Sequence, residues 1–517
     1  MRKFKEFIKE KNVLVEGNQT YKINYLYIFL SYLILNFCIY GSLCREHYAT
    51  DSYNLFYTNA RGAFIWNGRI IPYFFSLLYN KLNINIIEIQ PITTSLSILC
   101  LAVTATLLFI TFYNKLRSNT NISFFTIFFA CMLSTVNFII LEWFLFPEVV
   151  LFYTIGMLLA VLAAKLFADR KKNCWNFCIS SICALCSMYM YQININIFII
   201  VVCMLIAMNN EFKINKKSIK EIVLGILVGF SAALASLITN HVIKLLRPDI
   251  NFRASGFSLT SIYSNVIHII KLQKQIWIQG INLMKAPWML CFFVAMLLVI
   301  FFAFVKRSSS KEKISITFII FILLVSFIVI FNPNYFFSTD IWLSPRMIVA
   351  LPYFLSILPI IAICIYDGKK VFKYQSVVLI IVILLLIPNI RTTQNIITDH
   401  FATNKIDKQY ALLINNEIKK YENANNIQIN NIATKLDVKP TYVYKGIDYA
   451  SYDTNARGYV IPWADINMIN YYSGENYNKV KMNNQIFETY FKNKNWNYFN
   501  SSEQFVFVGD TLYWCIY

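Results

Sequence analysis

Apolar runs long enough to cross roughly 30 Å of hydrocarbon recur along the chain near residues 23–43, 92–113, 121–141, 148–168, 174–190, 191–208, 222–242, 288–305, 314–331, 347–366 and 374–390. They predict an all-α polytopic membrane protein of about 11 transmembrane helices. The 174–208 stretch is the tightest, because Tyr191, Gln192, Asn194 and Asn196 leave room for only a short turn between two spans. The basic, polar start at 1–22 precedes a first run of full spanning length, so that run reads as an uncleaved anchor.

Polar positions between the runs set an orientation. With residues 1–22 in the cytoplasm, every even loop is basic: Lys115 and Arg117; Arg170 to Lys172; Lys213, Lys216, Lys217 and Lys220; Lys306, Arg307, Lys311 and Lys313; Lys369, Lys370 and Lys373. Retention of Lys and Arg on the cytoplasmic side then places the long loops 44–91 and 243–287, the shorter 332–346 and the tail 391–517 outside. The membrane body is thus 23–390.

The tail has a different pattern. Residues 404–425 place Ile406, Tyr410, Leu413, Ile414 and Ile418 at helical spacing. Strand-like runs follow in IQINNIA, TYVYKGI, GYVIPW and QFVFVGDTLYWCIY, where Gly509-Asp510 turns a hairpin. A small external α/β domain over 391–517 is expected.

Composition narrows the class. Of 517 residues, 57% are hydrophobic and only 14% charged, too apolar for a soluble protein. The net charge of +20 is carried largely by the cytoplasmic loops and forms no compact basic face with interleaved aromatics, so nucleic acid is not the expected partner. Most of the 12 cysteines lie inside apolar runs, and the C-x-x-C of Cys183 and Cys186 fits packing better than zinc, which needs four converging ligands. The four histidines are scattered, with no metal-binding spacing. Neither a phosphate-binding glycine loop nor a dinucleotide fingerprint is present, which disfavours nucleotide-driven chemistry.

Candidate chemistry concentrates in Cys44–Asn80. This stretch carries Glu46, Asp51 and Arg69, with Tyr53, Phe56, Tyr57, Phe64 and Ile65 at a spacing that predicts a helix lying in the interface plane. Asp51 is the preferred general base and Glu46 the second choice, although T-D-S-Y-N also suits an N-cap at Asp51. Glu148 follows Pro147 at the start of the fourth run, where it complements the helix dipole, orients a sugar or pairs an external arginine. Arg247, Arg253, Lys271 and Lys274, together with Arg346 near Asp340, are basic residues on the external side, which topology does not explain. They suit a lipid-borne phosphate or anionic headgroups.

An external T-D-S-Y after the first run, N-G-R-I-I-P before the second, F-P-E-V-V-L-F-Y opening the fourth and M-Y-M-Y-Q-I-N at the fifth and sixth stand in an order that resembles the Gtr-type, serotype-converting O-antigen glucosyltransferases, which are GT-C-like membrane enzymes. The resemblance covers roughly the first 200 residues by motif and the rest by layout. It implies transfer of glucose, with inversion, from undecaprenyl-phosphate-glucose to O-antigen on the periplasmic side of a bacterial inner membrane. In this reading Asp51 is the base, Arg69, Arg253 and Arg346 hold the donor phosphate, and Tyr191 and Gln192 lie in a matching motif. The family often carries two adjacent acids in the first loop, where this chain has Thr50-Asp51. The lipid-linked sugar is a substrate, so no cofactor or metal is called for. A flippase or exporter of lipid-linked glycans is the competing class, but its path needs charges within the spans, which are almost uncharged here. An O-antigen polymerase stays open as a third.

Overall fold

The computed structural model describes residues 11–14, 20–116, 121–169, 173–250, 260–308, 314–331, 344–366 and 371–517. An antiparallel pair, β1 (Lys11–Leu14) and β2 (Thr20–Ile23), leads into α1 (Tyr25–Tyr40). Residues 44–91 hold three helices, α2 (Thr50–Leu55), α3 (Arg61–Trp66) and α4 (Ile70–Lys81), before α5 (Gln90–Tyr113). Then come α6 (Asn121–Leu133), α7 (Phe138–Phe144), α8 (Val150–Ala168), α9 (Cys174–Met190), α10 (Asn194–Asn209), α11 (Lys216–Leu246) and α12 (Ile262–Trp277). The helical body closes with α13 (Trp288–Ser308), α14 (Ile316–Ile328), α15 (Ala350–Ile365) and α16 (Val371–Asn425).

Each apolar run of the sequence falls on a helix. Six of the described helices are long and apolar enough to span: α1 with its following turn, α5, α8, α11, α13 and α16. The α6–α7 pair, bent by 46°, makes a seventh if it is one span; α9, α10, α14 and α15 are apolar but shorter. The bend has a local cause. Asn137 caps α7 by accepting from the Ile140 amide at 2.9 Å, and the Tyr40 hydroxyl accepts from the Asn137 amide at 3.1 Å.

Burial separates inner from outer helices. In α15 every residue but Cys364 is buried, and α10 is buried nearly all round, as a hydrophobic helix without a polar face requires. In contrast, α11 and α13 leave Leu227, Phe230, Leu237, Leu298 and Phe301 exposed, the surface that hydrocarbon would cover. Between helices, close packing and hydrogen bonds replace the hydrophobic drive. Ser187 Oγ on α9 donates to the Gly156 carbonyl on α8 at 2.7 Å, and Ser180 Oγ donates to the Ala163 carbonyl at 2.8 Å.

The continuous interfacial helix expected in 44–80 is not what forms. Asn59 and Ala60 take left-handed φ of 47° and 58° and break it. Asn59 then ties the loop down, donating to the Ile84 carbonyl at 3.0 Å and accepting from the Ile86 amide at 2.7 Å. Tyr53, Phe64 and Ile65 consequently face protein, while Trp66, Phe74 and Leu78 remain exposed.

The helix expected at 404–425 is the continuation of α16, which runs unbroken from the last apolar run and passes through residue 390. Pro388 lies inside it; the side chain of Asn389 donates to the Leu385 carbonyl beside the missing rung. After α16, β3 (Asn431–Leu436), α17 (Asp465–Ser473), β4 (Asn478–Val480), β5 (Phe505–Val508) and β6 (Thr511–Ile516) follow. The sheet order is β4-β3-β6-β5, with β3 parallel to β4 and β6 and a β5–β6 hairpin turning at Gly509-Asp510. TYVYKGI and GYVIPW form no strand, and instead run as turns that pack buried Arg457 against the Thr441 and Tyr517 carbonyls at 2.7 and 2.8 Å.

Candidate active site

Four connections at one end of the helices meet: the first loop, the turn before α8, the α9–α10 turn and the segment before α15. Residues 451–467 of the tail lie against them.

Asp51 lies in the first turn of α2, two positions past the N-cap Ala49, so it does not cap the helix. Its Oδ1 accepts from the indole Nε1 of Trp463 at 2.8 Å. The next residue, Ser52, is 1% exposed and does two jobs. Its Oγ accepts from the Ala49 amide at 3.1 Å and donates to Glu148 Oε2 at 2.9 Å. Glu148, 2% exposed in the Pro147 turn, is thereby held beside α2. Burial, and then the charge of Asp51, push its carboxyl up to about 7; the Ser52 hydrogen bond and Arg346 oppose that rise. Glu148 therefore lies within electrostatic range of Asp51.

Arg69 stands at the N-terminus of α4. Gly68 before it has φ +67°, and a Cβ there would come within 2.6 Å of the Asn240 amide, so glycine suits this close approach to α11. The Arg69 guanidinium lies over the rings of Tyr153 and Tyr191 at 5.2 and 5.0 Å, and these two rings stack at 4.2 Å. Its buried Nε has no hydrogen-bond partner, and no described carboxylate forms an ion pair with it. Gln192 donates to the Asn67 carbonyl at 2.6 Å, which fixes the turn beneath Arg69. Arg69, Tyr191 and Gln192, distant in sequence, are therefore neighbours.

Arg346 is placed differently. Its guanidinium pairs with Glu142 at 3.1 Å and Asp453 at 2.9 Å, with its side chain only 13% exposed. The Arg346 amide also bonds Glu142, and the guanidinium covers the Phe146 ring at 4.7 Å. Two carboxylates already neutralise it, which leaves little charge for a phosphate. Tyr191 lies within electrostatic range of both Arg69 and Arg346, so the two cations flank one tyrosine pair.

Glu46 is exposed and accepts from the Tyr48 hydroxyl at 2.7 Å, in an aromatic group with Tyr53, Tyr471 and Tyr472. Arg247 is exposed and bound to Asp249 at 3.0 and 2.8 Å, and Lys271 and Lys274 lie exposed on α12. None of these three enters the contacts above. Arg253 and Asp340 lie outside the described residues. Among the described residues, no three His, Cys, Asp or Glu side chains converge as a metal set.

Sequence reasoning passed over Trp463, Asp453 and Tyr153. Trp463 lies in GYVIPW, whose pattern reads as a strand, and Asp453 in a stretch with no pattern linking it to Arg346.

Long apolar helices around a polar cluster of carboxylates, with Arg69 unpaired among the described residues, define a helical membrane protein with a candidate site built from its connections. The chain belongs to the GtrII glucosyl transferase family: the family model described as "Glucosyl transferase GtrII" matches residues 40–363, more than half of its length. The protein is a membrane glucosyltransferase by that membership. No curated protein and no solved structure matches it.

Proposed function

We propose that this protein transfers glucose, with inversion, from a polyprenyl-phosphate donor such as undecaprenyl-phosphate-glucose to a hydroxyl of O-antigen or another surface polysaccharide. The reaction takes place on the periplasmic face of the inner membrane, with residues 1–22 cytoplasmic and the tail periplasmic. Asp51 accepts the proton of the acceptor hydroxyl as its oxygen bonds to the anomeric carbon. The bond from that carbon to the phosphate oxygen breaks, and its electron pair leaves with the lipid phosphate. Glu148, held near pH 7 between its two forms, keeps a second negative charge away from Asp51 when protonated and so sets how readily the base works.

Arg69 receives the phosphate. The observation that carries the reading is its position: a guanidinium laid on two tyrosine rings, without a carboxylate partner among the described residues, one of the rings lying within electrostatic range of Glu148. An anion there gains charge-assisted hydrogen bonds and meets no competing carboxylate. Arg346 supports the site as a structural ion pair, and Arg253, where it reaches the donor, adds to Arg69. The family favours this over export, because a flippase breaks no glycosidic bond.

The test uses purified protein in nanodiscs with polyprenyl-phosphate-glucose and polysaccharide from the cells that encode the chain. Release of lipid phosphate together with labelled glucose in the polysaccharide is expected. Translocation of the intact lipid-linked sugar without bond cleavage would overturn the reading.

A further inference from the structure

A cavity of ≈ 10 Å³ lies between Tyr48, Thr50 and Tyr53 of the first loop and His400, Thr403 and Asp407 of α16. That volume suits one water-sized group. The second wall lies beyond the 40–363 stretch matched by the family.

Two buried polar atoms on cavity-lining residues have no partner: His400 Nε2 and Thr403 Oγ1, on residues 4% and 2% exposed. They stand three positions apart on α16, hence on one face. The tautomer of His400 follows from its neighbour. Asn455 Nδ2 donates to the Ile396 and Tyr449 carbonyls at 3.1 and 2.7 Å, which leaves Asn455 Oδ1 as an acceptor. His400 Nδ1 lies 3.2 Å from that oxygen and must carry the proton. Burial and the adjacent His47 push His400 down to about 3, so the ring is neutral and Nε2 presents a lone pair. A lone pair next to a hydroxyl that both donates and accepts is the complement of an O–H group. The wall is held in register, because Asn404 accepts from the Tyr48 amide at 2.7 Å and donates to the Tyr48 carbonyl at 3.0 Å.

We propose that this cavity seats one hydroxyl of the acceptor glycan, which donates to His400 Nε2 and accepts from Thr403 Oγ1. Thr50 and Tyr53, which line the cavity, bracket Asp51 in sequence. The hydroxyl held here is a second one, distinct from the hydroxyl that Asp51 deprotonates. This rests on the transfer reading above and adds where acceptor choice is made.

Thr403→Val keeps the shape and removes the hydroxyl. It is expected to raise the acceptor KM about tenfold, far more than it changes kcat, the size of one net hydrogen bond. It should also weaken binding of the polysaccharide measured by saturation-transfer NMR without donor. His400→Gln, which cannot serve Asn455 and the glycan in the same register, should weaken binding likewise. If both variants bind the polysaccharide as the native protein does, the cavity holds a structural water only and the proposal is overturned. The binding measurement needs no catalysis. Failure of the native protein to release lipid phosphate would therefore strike the transfer reading, while the NMR comparison still decides the hydroxyl seat.

Discussion

The Ser52 hydroxyl donates to Glu148 Oε2 at 2.9 Å across 96 positions of chain, and this bond joins the helix that carries Asp51 to the turn that opens α8. It holds Glu148 against the helix that carries Asp51. Loss of Ser52 would leave Glu148 buried with one hydrogen bond fewer and its carboxyl still further up.

Asp51→Asn keeps an oxygen to accept from Trp463 but cannot take a proton. Loss of a general base costs about 10²–10⁴-fold in rate. The variant should therefore insert, fold and bind the lipid donor, and transfer almost no glucose. Glu46→Gln, changing an exposed carboxylate, should keep most of the activity. A nearly wild-type rate for Asp51→Asn would move the base elsewhere.

Glu148 is raised from 4.5 to about 7. Between those values the folded protein holds a proton that the unfolded chain has lost, so its contribution to stability is complete below pH 4.5 and falls away as pH rises through about 7. Thermal unfolding in nanodiscs should show Glu148→Gln gaining on the native protein at pH 8 and not at pH 4. Equal differences at both values would mean that Glu148 is not the titrating group.

Arg69→Ala should raise the donor KM at least tenfold, since one charge-assisted contact to phosphate is lost. Folding should change little, because no described carboxylate depends on Arg69. Arg69→Lys should recover only part of the loss, because a point charge cannot stack on Tyr153 and Tyr191 as a planar guanidinium does. Unchanged donor KM in both variants would remove Arg69 from the donor site.

Arg346→Ala should behave in the opposite way. It strands Glu142 and Asp453, and breaking a buried pair from one side costs about 3–5 kcal/mol. Loss of folded protein is expected, and most of that cost should disappear only when both acids are replaced as well, in an Arg346→Met, Glu142→Leu, Asp453→Leu triple variant. A well-folded Arg346→Ala protein with a raised donor KM would return Arg346 to the phosphate.

Orientation is checked separately. A reporter that works only outside the cytoplasm, fused after Tyr517, should be active. Activity only from a cytoplasmic reporter would turn the site to the other face.

Hydropathy along the chain determined where the helices lie, because a segment that must hide its backbone from hydrocarbon has few other forms available. Every apolar run is helical for that reason, and short motifs such as F-P-E marked connections that meet at the candidate site. The β5–β6 hairpin was legible too, since Gly509-Asp510 between alternating apolar residues is a local signal. What the sequence left open are the relations set by packing over long separations. Asp51 meets Trp463 and Glu148, Arg346 meets Glu142 and Asp453, and Asn59 breaks a helix that its neighbours' periodicity favours. Charge type alone made Arg69 and Arg346 equivalent. Only the tertiary structure separated them, by setting two carboxylates against one and two tyrosine rings against the other.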